Sequence, residues 1–277
     1  MILMKMVVLK VNHLIRLFNK LVFILFILGL SSCDFTSGLN RDILTAQQHV
    51  DNQQFSKAVE LYERILKKNP SKVIKTKINY QLAEIYYLYL DEQVKALKYY
   101  QFIVDNVDDP LWQVKSLEKI ADINFSFAKN YKQSIRAYQI LMQVKPRLKN
   151  YDYYYFRVGE SHFELGQYNR AQKIFNNIIS EPTNPYHVEA FYQLGLIEFY
   201  SKNWDRAVEL WHEYLKRERR KDLIVKVKFL IANAYESSEK LKEAYNIYYS
   251  LLPSYPNPEV LRGRLKALYD RRVARKR

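Results

Sequence analysis

The chain has one thiol, Cys33, which stands after a ten-residue apolar run, 21–30, and the pair Ser31-Ser32. A thiol there can be alkylated, but without a second cysteine it forms no intrachain disulfide and no thiolate metal cluster. The five histidines, His13, His49, His162, His187 and His212, show no metal-ligand spacing. There is no Gly-x-Ser-x-Gly elbow, no phosphate loop and no dinucleotide fingerprint. Gly159-Glu160-Ser161-His162 lies within a helical pattern, its Gly a small packing position and the rest helix surface. The residue types point to covalent modification at Cys33. They imply no enzyme activity, no metal and no cofactor.

What precedes Cys33 explains why it stands there. Residues 1–20 carry Lys5, Lys10, Arg16 and Lys20 and no acid, and the apolar run follows. That order is the pattern of an export signal. The run is half the roughly 20 residues a spanning helix needs. Leu30-Ser31-Ser32-Cys33 resembles the bacterial lipobox. The resemblance implies that residues 1–32 are removed, that Cys33 receives diacylglycerol, and that its new amine receives an acyl chain such as palmitate. Several chains on one Cys anchor stably where a single chain is marginal. The expected location is the cell envelope, at the outer membrane facing the periplasm. Asp34 raises the inner membrane as the alternative, because in enteric bacteria an Asp there resembles a retention signal.

The rest of the chain is periodic. Tyr62, Tyr100, Tyr138, Phe175, Trp211 and Tyr248 each follow a small residue by four positions: Ala58, Ala96, Ser134, Ala171, Ala207 and Ala244. The small residues are 38, 38, 37, 36 and 37 apart, which signals stacked copies of one supersecondary unit. Only six glycines against 24 tyrosines suit helices packed through large side chains. In the fourth copy, Ala171, Ile174, Phe175 and Ile178 follow i, i+3, i+4, i+7, a helical face.

A small pair (Thr45-Ala46, Val158-Gly159, Leu194-Gly195, Ile231-Ala232) stands twelve residues before the small residue of its copy. In copies two and three the pairs Leu82-Ala83 and Ile120-Ala121 stand thirteen before, so one extra loop residue is expected there. Pro70, Pro146 and Pro256 close three copies. This pattern resembles the tetratricopeptide repeat. It implies an all-α solenoid of about six helix-turn-helix units over residues 40–256, joined to the lipid by a short tether, 33–39. That tether reaches roughly 20 Å when extended. A basic capping helix is expected over 257–277, with Asn257-Pro258 at its start and Val260, Leu261, Leu265 and Leu268 as its apolar stripe. Arg262, Arg264, Lys266, Arg271, Arg272, Arg275, Lys276 and Arg277 are expected as its polar outer side.

In arrays of this kind the first helices line the concave side. Carrying over the inward positions gives Tyr80, Glu84 and Tyr87, then Tyr153, Phe156, Glu160 and Phe163, then Tyr192, Leu196 and Phe199. Such a surface suits an extended peptide or an amphipathic helix. Lys226 and Asn233 are the only fragment of the set that clamps a C-terminal carboxylate in some relatives. Net charge is +15, of which +4 lies in residues 1–33, and the run 216–221 is a second candidate surface, for anionic lipid or an acidic partner.

The plan resembles two groups of envelope lipoproteins. One is the BamD family of the β-barrel assembly machine, suggested by Thr45-Ala46-Gln47-Gln48 leading into Phe55-Ser56-Lys57-Ala58. The other is the pilotin group (PilF/PilW) for type IV pilus secretins, which has six units. A Tol–Pal or peptidoglycan coordinator is a third. The implied partners are other envelope proteins, β-barrel machinery among them, and the membrane itself. Nucleic acid is not expected, although a cytoplasmic RNA-binding repeat protein becomes the reading if residues 1–32 stay attached.

Overall fold

The computed structural model describes residues 35–274; Cys33, the apolar run and residues 275–277 lie outside them. Among the described residues there are thirteen α-helices and no strand. They are α1 (Phe35–Asp51), α2 (Phe55–Lys67), α3 (Lys72–Leu88), α4 (Gln93–Asn106), α5 (Pro110–Ser126), α6 (Tyr131–Gln143) and α7 (Tyr151–Glu164). The others are α8 (Tyr168–Ile179), α9 (His187–Tyr200), α10 (Trp204–Leu215), α11 (Lys221–Ser237), α12 (Leu241–Leu251) and α13 (Pro258–Ala274). Odd and even helices pair from α1/α2 to α11/α12, and α13 closes the series. The fold is all-α, as the period requires. None of these helices is long and apolar enough to cross a membrane.

Two compact bodies divide the chain. The N-terminal one ends at Trp112 and the C-terminal one starts at Gln113. The first holds the first two helix pairs. The second holds the body of α5, α6, the other three pairs and α13. α1 already opens at Phe35, so the expected tether is helical from its third residue onward.

All six periodic rings are buried, none more than 1% exposed, and the small residues four positions earlier are fully covered. Burying one such ring is worth about 2–3 kcal/mol, so the six columns are the main apolar investment of the fold. The next inward position of each second helix is also core: Ile65, Ile103, Leu141, Ile178, Tyr214 and Leu251. Small residues of the first helices let the rings in. A Cβ on Gly195 would lie 2.2 Å from Trp211 Nε1.

One turn recurs in all six pairs. Gln53, Asp91, Lys129, Gly166, Lys202 and Glu239 have positive φ, each five residues before the small residue of its second helix. In pairs one, four, five and six the next residue donates its N–H five positions back: Gln54 to His49 (2.7 Å), Gln167 to His162 (2.9 Å), Asn203 to Glu198 (2.8 Å) and Lys240 to Tyr235 (2.8 Å). In pairs two and three it reaches six back, Glu92 to Tyr86 (2.9 Å) and Asn130 to Asn124 (2.7 Å). That is the extra loop residue the spacing predicts. These bonds satisfy carbonyls that a helix end leaves open.

α13 covers the last pair through Leu261, Leu265 and Leu268, all buried. Two expectations for it are corrected. Val260 is 43% exposed, because it sits about 100° around the helix from Leu261. Arg264 and Arg271 face outward only in part, each side chain 40% exposed. Arg264 Nη1 meets Glu236 at 2.9 Å, and Arg271 meets Glu236 at 3.4 Å and Glu239 at 2.7 Å.

Candidate functional site

The odd-numbered helices carry every residue of the carried-over set. In the N-terminal body Tyr80 is half-buried, edge-on to Tyr100 (5.6 Å) and Trp112 (5.3 Å). Glu84 accepts the Tyr100 hydroxyl, and Tyr87 is half-buried one turn further on. In the C-terminal body Tyr153 donates to Asp122 Oδ1 at 2.9 Å, an oxygen that also accepts the Tyr138 hydroxyl at 2.5 Å. Phe156 is 6% exposed and packs on Phe175 and Tyr186, so it belongs to the core and presents no ring to a ligand. Phe163 leans on Tyr168 and Tyr200.

Glu160 anchors a polar cluster. Its carboxylate takes Arg157 Nη1 at 3.0 Å and Gln193 Nε2 at 2.8 Å. Burial raises its pKa, and Arg157 and Gln193 pull against that rise. Arg157 lies 3.6 Å from the ring centroid of Phe125, which holds the cation against the face of a ring from the preceding pair. The sequence pattern marks Glu160 but neither Arg157 nor Gln193. They stand at one register, two residues before Gly159 and Gly195, and that shared register is the signal that identifies them.

Around α11 the candidates converge. Tyr192, Leu196, Phe199 and Leu230 pack, partly buried, on the cluster of Val208, Trp211, Val227 and Ile231. A cavity of about 210 Å³ opens beside the start of α11, lined by Tyr192, Tyr214, Leu223 and Val227 with Lys226, Arg220 and Glu189. A second, of about 420 Å³, opens at its end between Phe199, Asn233, Glu236, Arg264 and Arg271. Lys226, Leu230, Asn233 and Ser237 are spaced i, i+4, i+7, i+11, so both cavities lie along one face of α11, over roughly 16 Å. Lys226 Nζ stands 5.1 Å over the Tyr192 ring. Asn233 is committed to its own pair, accepting the Tyr248 hydroxyl at 2.5 Å. This face is an apolar floor with polar groups at both ends, the general form of a peptide-binding groove.

The other singled-out residues serve the fold. His49 Nδ1 meets Gln54 Oε1 at 2.8 Å and His162 Nδ1 meets Gln167 Oε1 at 2.7 Å, each across the recurrent turn. His187 stands edge-on to Phe191. The basic run 216–221 is largely neutralised. Lys216 and Arg217 share Glu213, whose carboxyl they hold down at about 2. Arg220 pairs with Glu218 at 2.6 Å and with Glu189 at 3.5 Å.

Known proteins agree with the helix pairs. No curated protein matches the chain. Among solved structures, a tetratricopeptide repeat protein from Parabacteroides merdae ATCC 43184 superposes with a TM-score of 0.61 at 18% identity, over 83% of this chain and 86% of that one. The C-terminal part of a TPR repeat-containing protein from Cytophaga hutchinsonii gives 0.56 at 18% identity, over 76% and 78%. PilW, described as a widely conserved type IV pilus biogenesis factor, gives 0.54 at 15% identity, over 83% and 98%. At these identities the likeness shows the fold. The sequence model of the tetratricopeptide repeat matches residues 153–183 and 189–218, the fourth and fifth pairs, so the chain carries tetratricopeptide repeats on an all-α fold of that type.

Proposed function

We propose that this chain is a non-catalytic envelope lipoprotein, tied to the membrane through Cys33, whose repeats hold segments of other envelope proteins during assembly. The observation that carries the reading is the groove along α11. Tyr192, Leu196, Phe199 and Leu230 form a floor that the fold leaves partly open, between two polar cavities. An amphipathic helix or an extended segment fits such a surface.

Within that reading the client is outer-membrane β-structure. A β-barrel insertase is the first candidate, on the opening motif Thr45–Gln48 with Phe55–Ala58. A secretin is the second, supported by the six helix pairs and by the likeness to PilW.

In-cell cross-linking followed by capture of the chain tests this. Recovery of β-barrel insertase subunits or of a secretin is expected, and which of the two appears decides between the candidates. Leu196→Ala with Leu230→Ala should lower that recovery about thirtyfold, each truncated side chain costing roughly 1 kcal/mol of contact. Ile140→Ala, on an exposed face of α6, should leave it unchanged. Recovery of cytoplasmic proteins alone would overturn the envelope reading. Cys33→Ser should release the chain from membranes, and full retention would overturn the anchor.

A further inference from the structure

Besides the run 216–221, the stretch 64–77 is densely basic. It carries Arg64, Lys67, Lys68, Lys72, Lys75 and Lys77 and no acid. The fold gathers these six at one end of the N-terminal body, because the stretch is the last turn of α2, a tight loop with Asn69 at φ +50, and the first turns of α3. Lys68 Nζ meets Asp42, the eighth residue of α1, at 2.7 Å, so the middle of α1 passes this end. Lys72 reaches Asp108 at 2.5 Å and Arg64 bonds its own-helix Glu60. Lys67, Lys75 and Lys77 have no carboxylate partner among the described residues, and Lys75 stands over the Phe102 ring at 5.3 Å. Val73, next to Lys72 in the chain, is 64% exposed.

We infer that this end of the N-terminal body lies on an anionic bilayer surface. The inference rests on the proposed anchor at Cys33, which it deepens. α1 opens two residues after Cys33, so an acylated Cys33 keeps the start of α1 at the headgroups and Asp42 and Lys68 roughly 13 Å further along the helix. A lysine side chain spans part of that gap and brings its ammonium to within about a Debye length, ~10 Å at 0.1 M salt, of the lipid phosphates. Each such lysine contributes about fivefold to partition onto an anionic surface. Val73 enters the headgroup layer as a short apolar tip. The surface therefore supplies a second membrane signal beside the acyl chains, and it holds the first helix pair upright on its loop end.

Flotation of the full chain with vesicles tests this, using phosphatidylcholine alone and phosphatidylcholine with added phosphatidylglycerol. Binding should be stronger on the anionic vesicles, and the gain should shrink in raised salt. Lys67→Gln, Lys75→Gln and Lys77→Gln together should cut that gain roughly 100-fold while leaving binding to neutral vesicles and the far-ultraviolet circular dichroism unchanged. Lys228→Gln with Lys266→Gln, exposed in the C-terminal body, should keep the gain. The inference is overturned if the triple variant keeps the full anionic gain or if the unaltered chain shows none. Failure of the anchor reads differently. Neutral-vesicle binding of the cell-made protein would then be insensitive to Cys33→Ser, with the anionic gain still present.

Discussion

Gly195 is the most closely packed glycine among the described residues. A Cβ there would stand 2.2, 2.5 and 2.7 Å from three atoms of the Trp211 ring, which is fully buried and donates to the Tyr192 carbonyl at 3.2 Å. Gly195→Ala must push that ring out of its site and is expected to cost roughly 3 kcal/mol. Gly263, inside α13 with nothing within 4 Å of its would-be Cβ, gives the opposite result. Gly263→Ala should gain about 0.5–1 kcal/mol, since Gly loses more freedom than Ala on entering a helix. Urea midpoints of the two variants check both, and equal midpoints would contradict the packing described. The column of small residues is legible in the sequence because each is bound to a large ring four positions from its partner small residue. Arg157 is not legible in that way. A lone Arg on a helix reads as solvated until the fold sets Phe125 of the preceding pair beneath it.

Among the elements, the recurrent turn is the most uniform and the most strained. Five of its six positive-φ positions are held by residues with a Cβ: Gln53, Asp91, Lys129, Lys202 and Glu239. Such a residue pays about 1 kcal/mol or more that Gly does not. Lys202→Gly is therefore expected to raise stability by about 0.5–1 kcal/mol, less than the full strain because Gly loosens the unfolded chain. A lower melting temperature for Lys202→Gly would mean that the Lys202 side chain contributes more than the strain costs. The helix pairs and the extra loop residue of pairs two and three were both readable from spacing alone, because the turn fixes the distance between two buried columns. The roles within α13 were less so. A stripe drawn on the sequence admitted Val260 beside Leu261, and charge alone placed Arg264 and Arg271 outside. The geometry turns both arginines back onto Glu236, because that carboxylate sits where the last pair meets the cap.

For the whole molecule the phenols set the limit at high pH. Burial first, and then bonds to Glu84 and Asp122, push the pKa of Tyr100 and Tyr138 well above the usual 10. The native chain holds these protons where the unfolded chain gives them up. Their contribution is thus intact below about pH 10 and lost as pH rises beyond it, at about 1.4 kcal/mol per pH unit for each such tyrosine. Thermal midpoints taken from pH 8 to pH 11 should fall steeply only above about pH 10. Tyr138→Phe should make that fall shallower, and an unchanged slope would remove Tyr138 from the account. The same phenols bear on how such a chain is inherited. Tyr100 bonds Glu84, Tyr138 bonds Asp122, Trp211 bonds the Tyr192 carbonyl and Tyr248 bonds Asn233, each inside its own helix pair. A gene that duplicates or drops one pair in frame therefore leaves these four buried donors with their acceptors. Recombination that lengthens or shortens the array therefore keeps these bonds and must refit only those that join neighbouring pairs, such as Tyr153 to Asp122 and Gln193 to Glu160.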